Sequence, residues 1–224
     1  SLFLVRLWQE DVAWLCQIEE KEPKGQWFNF EVIMLPDFQR EQAIISETRA
    51  WSRVALEVSN EYYNNLAPCP FAKKAWLDKK VGFCFKYNKS WQDLYTLISQ
   101  WDDSKDVVIL IDFDYLPLDE MDAYLNILND AISDGIFINR DMFLMGFHPE
   151  DDDNELLDDN EFDSTIDTPY AMIFLQRLSK LQEASNTLRM KGYYKIAEKY
   201  YNGKELYNNR ELLYRRLING NEKS

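Results

Sequence analysis

The sequence is poor in the residues that define several common classes of protein. Its 224 residues include one His, three Cys and seven Gly. Because the chain has a single His, it cannot form a metal site or motif that needs two histidines, such as the HExxH signature of zinc proteases. Seven scattered Gly form no Gly-rich phosphate loop. Three cysteines are too few and odd in number for a disulfide scaffold, so we expect reduced thiols and a cytoplasmic protein.

Long apolar runs and an excess of positive charge are also missing. No stretch approaches the ~18 uncharged apolar residues of a membrane span, and Arg6, Glu10 and Asp11 interrupt the apolar start. Lys and Arg number 25 against 39 Asp and Glu, a formal net charge of −14. Such a surface repels phosphate backbones and anionic lipids. We therefore expect a small molecule or a protein as the partner, rather than nucleic acid or a membrane.

Hydrophobic residues make up 46% of the chain, enough for a substantial core. Strand and helix patterns alternate through its middle and predict an α/β or α+β fold, with helices packed on a small sheet of three to four strands. We expect an extension over residues 1–38 (a helix and a strand), a core domain over 39–188 and a helical tail over 189–224. The predicted strands are 81–87, 107–113 (central) and 142–147, and the predicted helices are 39–64, 91–101, 118–132, 171–188 and one or two within 192–218.

Four short motifs follow one another along this core. They are Thr48-Arg49-Ala50-Trp51, Cys69-Pro70-Phe71-Ala72-Lys73, Phe147-His148-Pro149 and Thr168-Pro169-Tyr170. With these motifs, the stretch from about Thr48 to Ser185 resembles the uncharacterised bacterial family named domain of unknown function fourteen-fifteen. That family shows Thr-Arg-x-Trp, Cys-Pro-Phe-Ala, Phe-His-Pro and Ser-Pro-Tyr-Pro in this order. The resemblance implies where a site lies, but no activity.

The chain departs from this family pattern near the last motif. Asp167 stands where the family has an Arg, and Phe174 stands where the family's helix carries a His. The Arg-Glu pair that follows survives only as Arg177, which precedes Leu178. If the missing Arg and His serve a reaction, this protein has lost or changed it.

Cys69 and His148 are the candidate catalytic residues. The thiol lies between Pro68 and Pro70, and it would gain thiolate character from Lys73 and Lys74 or from a helix starting near Phe71. His148 ends a predicted strand and could act as base or co-ligand. Alternatively, Cys69 is an ordinary buried residue and His148 is a turn histidine bonded to a backbone carbonyl. The candidate ligand-binding residues are Arg49, Trp51, Lys73, Tyr170 and, as an anion anchor, Arg177.

Acidic residues are concentrated between Glu150 and Asp167, where no Lys or Arg occurs. Hard divalent cations bind such oxygens, and a metal site could combine Cys69, His148, Glu150 and Asp152. The run fails the EF-hand template because Leu156 replaces the required Gly. A solvated acidic loop is the simpler interpretation. It could contact the basic, Tyr-rich C-terminal tail, within one chain or between subunits of a homo-oligomer.

Asp112 and Asp114 close the predicted central strand. Two carboxylates there resemble the start of the haloacid-dehalogenase motif, but Tyr115-Leu116-Pro117 replaces the expected continuation. Strand-end aspartates also commonly cap the following helix.

Two functional hypotheses remain open. The first is a small-molecule enzyme or ligand- or metal-binding domain with a pocket around Cys69 and His148. The second is a non-catalytic interaction domain that uses the acidic loop 150–167 and the basic aromatic tail.

Overall fold

A computed structural model describes residues 36–151, 166–195 and 203–221, with the side chains of 208–219 in the last range. Some predicted features lie outside these ranges. They are the extension before residue 36, most of the acidic loop with Asp152, and the tail segment 196–202.

A four-stranded mixed sheet forms the centre of an α/β fold, as predicted. Its strands are β1 (Val81–Lys86), β2 (Val107–Asp112), β3 (Phe143–Phe147) and β4 (Ala171–Gln176). The spatial order is β1-β2-β4-β3, with β1 parallel to β2 and β4 antiparallel to both of its neighbours. The three strands predicted from the sequence are therefore confirmed to within one residue at each end, and β2 has neighbours on both sides.

Six helices surround this sheet. They are α1 (Pro36–Trp51), α2 (Ala72–Leu77), α3 (Gln92–Ser99), α4 (Leu118–Ser133), α5 (Leu178–Met190) and α6 (Gly203–Asn221). Within the described ranges, every helix is too short or too polar to cross a bilayer.

Helix α1 is shorter than the predicted helix over 39–64. It passes into a π-helical turn at Ser52–Leu56, and the chain is extended at Asn60. The Asn60 side chain accepts a hydrogen bond from the Tyr62 backbone N–H, and Asn64 adopts the left-handed conformation with a φ of 59°. Asparagine favours both conformations, and they replace the helix with turns before Cys69.

The prediction of one helix over 171–188 was wrong in its first third. Residues Ala171–Gln176 form β4, and α5 begins only after Arg177, whose backbone is extended. Ile173 and Leu175 pack on one side of the sheet and Phe174 packs on the other. A strand that is buried on both faces has a continuous run of apolar residues. Periodicity alone does not distinguish such a run from that of a buried helix.

Each face of the sheet carries its own apolar core. On one face, Leu94 of α3 and Met121 of α4 pack against Leu110 and Leu144. On the other, Ile44 of α1 packs against Ile109 and Phe174. A third cluster joins β3, α5 and α6 through Phe143, Leu178, Leu213 and Leu217.

Strand polarity brings four chain segments to one edge of the sheet, here called the carboxyl edge. Strands β1, β2 and β3 end there at Lys86, Asp112 and Phe147, and β4 begins there at Ala171. His148 is the next residue after β3. The carboxyl edge is therefore the place to look for a site, since α/β sheets bind ligands outside the carboxyl ends of their strands.

Candidate functional site

A fully buried ion pair occupies the carboxyl edge. Lys86 and Asp112 are direct partners in the β1–β2 register, and their side chains are 0% and 1% exposed. The Lys86 Nζ lies 2.7 Å from the Asp112 Oδ1, 3.2 Å from the Asp114 carbonyl oxygen and 4.6 Å from the Trp91 ring centroid. Two charges removed from water are tolerated only with such close pairing and further hydrogen bonds.

Strand alternation places this pair on the α3/α4 face. Cys84 and Leu110, two residues earlier on β1 and β2, point into the same apolar core. Asp112 was predicted from the sequence as a candidate, but Lys86 was not. The available signal was a cation that closes an otherwise apolar strand, but its partner depends on the register between β1 and β2.

Only one of the two oxygens of the Asp112 carboxylate accepts hydrogen bonds from the described residues. Its Oδ1 accepts hydrogen bonds from Lys86 Nζ and, at 2.9 Å, from the Asp114 backbone N–H, which is an Asx turn. Its Oδ2 is buried without a hydrogen-bond partner among the described residues. No side chain caps the start of α4, so the capping role expected of a strand-end aspartate is not observed. The free oxygen is an acceptor with a fixed position.

His148 lies on the same edge, 7% exposed, with both ring nitrogens engaged by backbone. Its Nδ1 accepts from the Glu150 N–H at 3.1 Å, so the ring proton is assigned to Nε2, which donates to the Leu116 carbonyl at 3.0 Å. The Tyr115 ring packs at right angles to the imidazole, 4.9 Å between centroids. In this arrangement His148 ties the end of β3 to the loop before α4.

Carboxylates crowd the surface next to His148. Burial raises the pKa of Asp122 on α4, and the charge of Asp151 raises it further. We call the surface formed by Asp119, Asp122 and Asp151 the acidic edge. Asp151 belongs to the start of the predicted acidic loop.

Cys69 lies in a different neighbourhood. Its backbone N–H donates to the Leu56 carbonyl at 2.9 Å, which anchors it to the π-helical turn after α1. Burial raises the pKa of the thiol; the backbone N–H groups of Phe71 and Ala72 lower it, and Glu57 raises it. Of the two alternatives left open for Cys69, this direction fits the ordinary buried residue rather than the thiolate. Lys73 is exposed, and Lys74 pairs with Asp78.

No hydrogen bond joins Cys69 and His148 in the described part of the chain. Cys69 lies just before α2 and bonds to Leu56, while both ring nitrogens of His148 are engaged by Leu116 and Glu150. A pocket that both residues line stays a prediction. No group of three or more His, Cys, Asp or Glu side chains with metal-binding geometry occurs in the described part of the chain.

Arg49 and Trp51, two of the candidate ligand-binding residues, contact other side chains of the chain. Arg49 forms an ion pair with Glu57 and lies 5.1 Å from the Trp76 ring. Trp51 packs edge-to-face on Phe147, 6.0 Å between centroids. The second contact joins the first motif to the third, since Trp51 belongs to the Thr48–Trp51 motif and Phe147 to the Phe147–Pro149 motif.

Tyr170 and Arg177 flank β4 at its opposite ends. The Tyr170 hydroxyl donates to the Glu47 Oε1 at 3.4 Å, and burial and Glu47 raise its pKa. Arg177 binds Asp103 at 3.1 Å and Asn139 at 2.7 Å. The six residues of β4 span about 20 Å. The anion anchor predicted at Arg177 is therefore at the far edge of the sheet from His148.

Comparisons with models of known protein families, with curated proteins and with solved structures found no match to this chain.

Proposed function

We propose that this protein is a small-molecule-binding domain whose site lies at the carboxyl edge, around Lys86 and Asp112. The observation that carries the proposal is the buried Asp112 Oδ2, which has no hydrogen-bond partner among the described residues. Leaving a buried acceptor unpaired costs about 1–3 kcal/mol. Asp112 Oδ2 is the only carboxylate oxygen among the buried unpaired side-chain atoms of the described residues, and an unpaired buried group calls for an explanation such as a bound ligand.

The surroundings suit a ligand with a hydrogen-bond donor and a planar apolar body. Trp91 and Tyr124 pack with centroids 4.6 Å apart, and the Tyr124 hydroxyl lies 2.7 Å from that of Tyr95. A hydroxyl or amine would donate to Asp112 Oδ2 while the body packs on these rings. Because the carboxylate is 1% exposed, a ligand would reach it only after a local movement of the residues that cover it.

A matched series of probes tests this proposal. Benzylamine, benzyl alcohol and toluene share one ring and differ in their donor group. We expect at least one of the first two to raise the Tm of the wild type, toluene to have no effect, and Asp112→Asn to abolish the response. Asp106→Asn, an exposed aspartate just before the other end of β2, is the control. Equal responses to toluene, or a full response in Asp112→Asn, would reject the site.

The second candidate is a non-catalytic interaction domain, which the acidic edge favours. Burial and the charges of Asp151 and Asp119 raise the pKa of Asp122, and a basic partner would relieve this repulsion. The described part of the tail already pairs within the chain, since Arg216 binds Asp130 of α4 at 2.6 Å. Salt-sensitive binding of an oligolysine peptide, weakened by Asp122→Asn, would support this candidate.

We also infer that the four motifs relate this chain to the family named domain of unknown function fourteen-fifteen. The packing of Trp51 on Phe147, and the contact of Arg49 with Trp76 just after the cysteine motif, support a shared arrangement. A structure of a family member in which these motif contacts are absent would contradict it.

A further inference from the structure

Arg210 on α6 is a buried cation with no counter-charge in the described part of the chain. It is 7% exposed, and its Nε is buried with no hydrogen-bond partner among the described residues. Its Nη2 donates to the Tyr194 hydroxyl at 3.5 Å, the outer limit of a hydrogen bond. Among the described residues, no carboxylate forms an ion pair with it.

Other arginines of the described chain show what this position lacks. Five of them pair with a carboxylate, although all are more exposed: Arg40 with Asp37, Arg49 with Glu57, Arg177 with Asp103, Arg215 with Glu211 and Arg216 with Asp130. A guanidinium cannot shed its proton to escape burial. The effective penalty of burying an ion unpaired is several kcal/mol. Within the described ranges, Arg210 is therefore a more deeply buried cation than these five arginines, and it lacks the carboxylate that each of them has.

Among the described residues, tyrosines lie next to Arg210. Tyr193 stacks on Tyr63 with centroids 4.8 Å apart and meets Tyr194 edge-to-face at the same distance. The Tyr193 hydroxyl donates to the Pro68 carbonyl, next to Cys69. Burial raises the pKa of Tyr193, Cys69 raises it further, and Arg210 lowers it. Cys69 and Arg210 thus lie close to the same phenol.

We propose that Arg210 binds a small oxyanion, a carboxylate or a phosphate, in a site bounded by Tyr193 and Tyr194. The unpaired Nε and its neighbouring amino group present the parallel N–H donors that oxyanions accept in bidentate fashion. The protonated Cys69 thiol nearby adds no negative charge that would repel the ligand. The site shares no residue with the Lys86–Asp112 pair, so the two proposals can be tested independently of each other.

The test uses inorganic phosphate and acetate as probes, titrated at constant ionic strength and followed by Tm and by calorimetry. We expect saturable binding of at least one probe to the wild type and at least tenfold weaker binding to Arg210→Gln. Arg216→Gln, an exposed arginine on the same helix, is the matched control and should bind like the wild type. A phosphate-only response identifies a phosphorylated ligand, and an acetate response identifies a carboxylate.

Two further results keep the proposal open to rejection. Arg210→Lys keeps the charge but loses the planar fork, so we expect intermediate affinity. Circular dichroism establishes that each variant is folded before binding is compared. Arg210→Gln binding as tightly as Arg216→Gln would overturn the site. So would the absence of saturation by either probe up to about 100 mM, since even a weak specific site reaches millimolar affinity.

Discussion

The Lys86–Asp112 pair illustrates how a buried charge depends on its partner. Each group is tolerable only because the other neutralises it, so we expect Lys86→Met to destabilise the protein by about 3–5 kcal/mol. Replacing both residues, as Lys86→Met with Asp112→Leu, removes both desolvation penalties and should recover most of that loss. Urea denaturation of the two variants measures the difference.

Lys180 is the matched control for this prediction. It pairs with Asp106 at 3.3 Å, but its side chain is 54% exposed. Exposed pairs contribute about 0–1 kcal/mol, so Lys180→Met should have little effect. A Lys86→Met variant as stable as Lys180→Met would show that Asp112 does not depend on the ammonium.

The thiol of Cys69 provides a second prediction at the residue scale. Because burial raises its pKa, we expect slow alkylation by iodoacetamide at pH 7.5 and a rate that still increases with pH above 9. Glu57→Gln removes a charge that raises the pKa and should speed the reaction. Mass spectrometry of the peptide that contains Cys69 gives the rate.

Cys84 serves as the internal reference in the same experiment. It is buried in the α3/α4 core, and burial raises its pKa to about 12, so it should stay unlabelled while the protein is folded. Rapid labelling of Cys69 at pH 7 would contradict the prediction and restore Cys69 as a nucleophile.

At the scale of elements, α4 packs against β3 through a glycine. A Cβ at Gly146 would lie 2.5 Å from the Met121 Cε and 2.7 Å from the Leu125 Cδ1. Both side chains are almost fully buried, so they have little room to move. We expect Gly146→Ala to destabilise the protein by about 1–3 kcal/mol, measured by urea denaturation.

Gly82 on β1 is the comparison for this helix–strand contact. A Cβ there would approach the Val108 Cγ2 only to 3.3 Å, which the neighbours can relieve by small shifts. Gly82→Ala should therefore cost clearly less than Gly146→Ala. Equal losses would show that α4 can move away from the sheet.

The elements that the sequence predicts best are those with one exposed face or a clear end. Helix α4 ends at Ser133, one residue after the predicted end, and Gly135 follows its C-cap with a φ of 86°. Strand β4 was missed because apolar residues on both faces remove the alternation that identifies a strand. The functional groups were harder still. Lys86 meets Asp112, and Arg210 meets the tyrosines near Cys69, only through tertiary contacts that no local pattern records.

At the scale of the whole molecule, the net charge of −14 disfavours the compact state through self-repulsion. The repulsion is largest where carboxylates converge, and Asp122 lies beside Asp151 and Asp119 at such a point. The excess of negative charge, which the composition gives only as a total for the chain, thus acts locally at the edge of the sheet that carries His148.

Asp122→Asn should stabilise the protein at neutral pH, and the gain should disappear in acid. The folded-state pKa of Asp122 is raised above its ordinary 3.8, so the folded state binds more protons than the unfolded state between the two values. Stability therefore falls as pH rises through this window, and the wild type carries the full penalty above it. We expect a gain below about 1 kcal/mol at pH 7, because the side chain is exposed and screened. Below about pH 4 the carboxyl is protonated and the two proteins should be equally stable.

Glu183→Gln, on the exposed surface of α5, removes the same unit of net charge and controls for the global effect. Unfolding free energies at pH 4, 5.5 and 7 distinguish the two, and a constant difference between Asp122→Asn and wild type across this range would contradict the local repulsion.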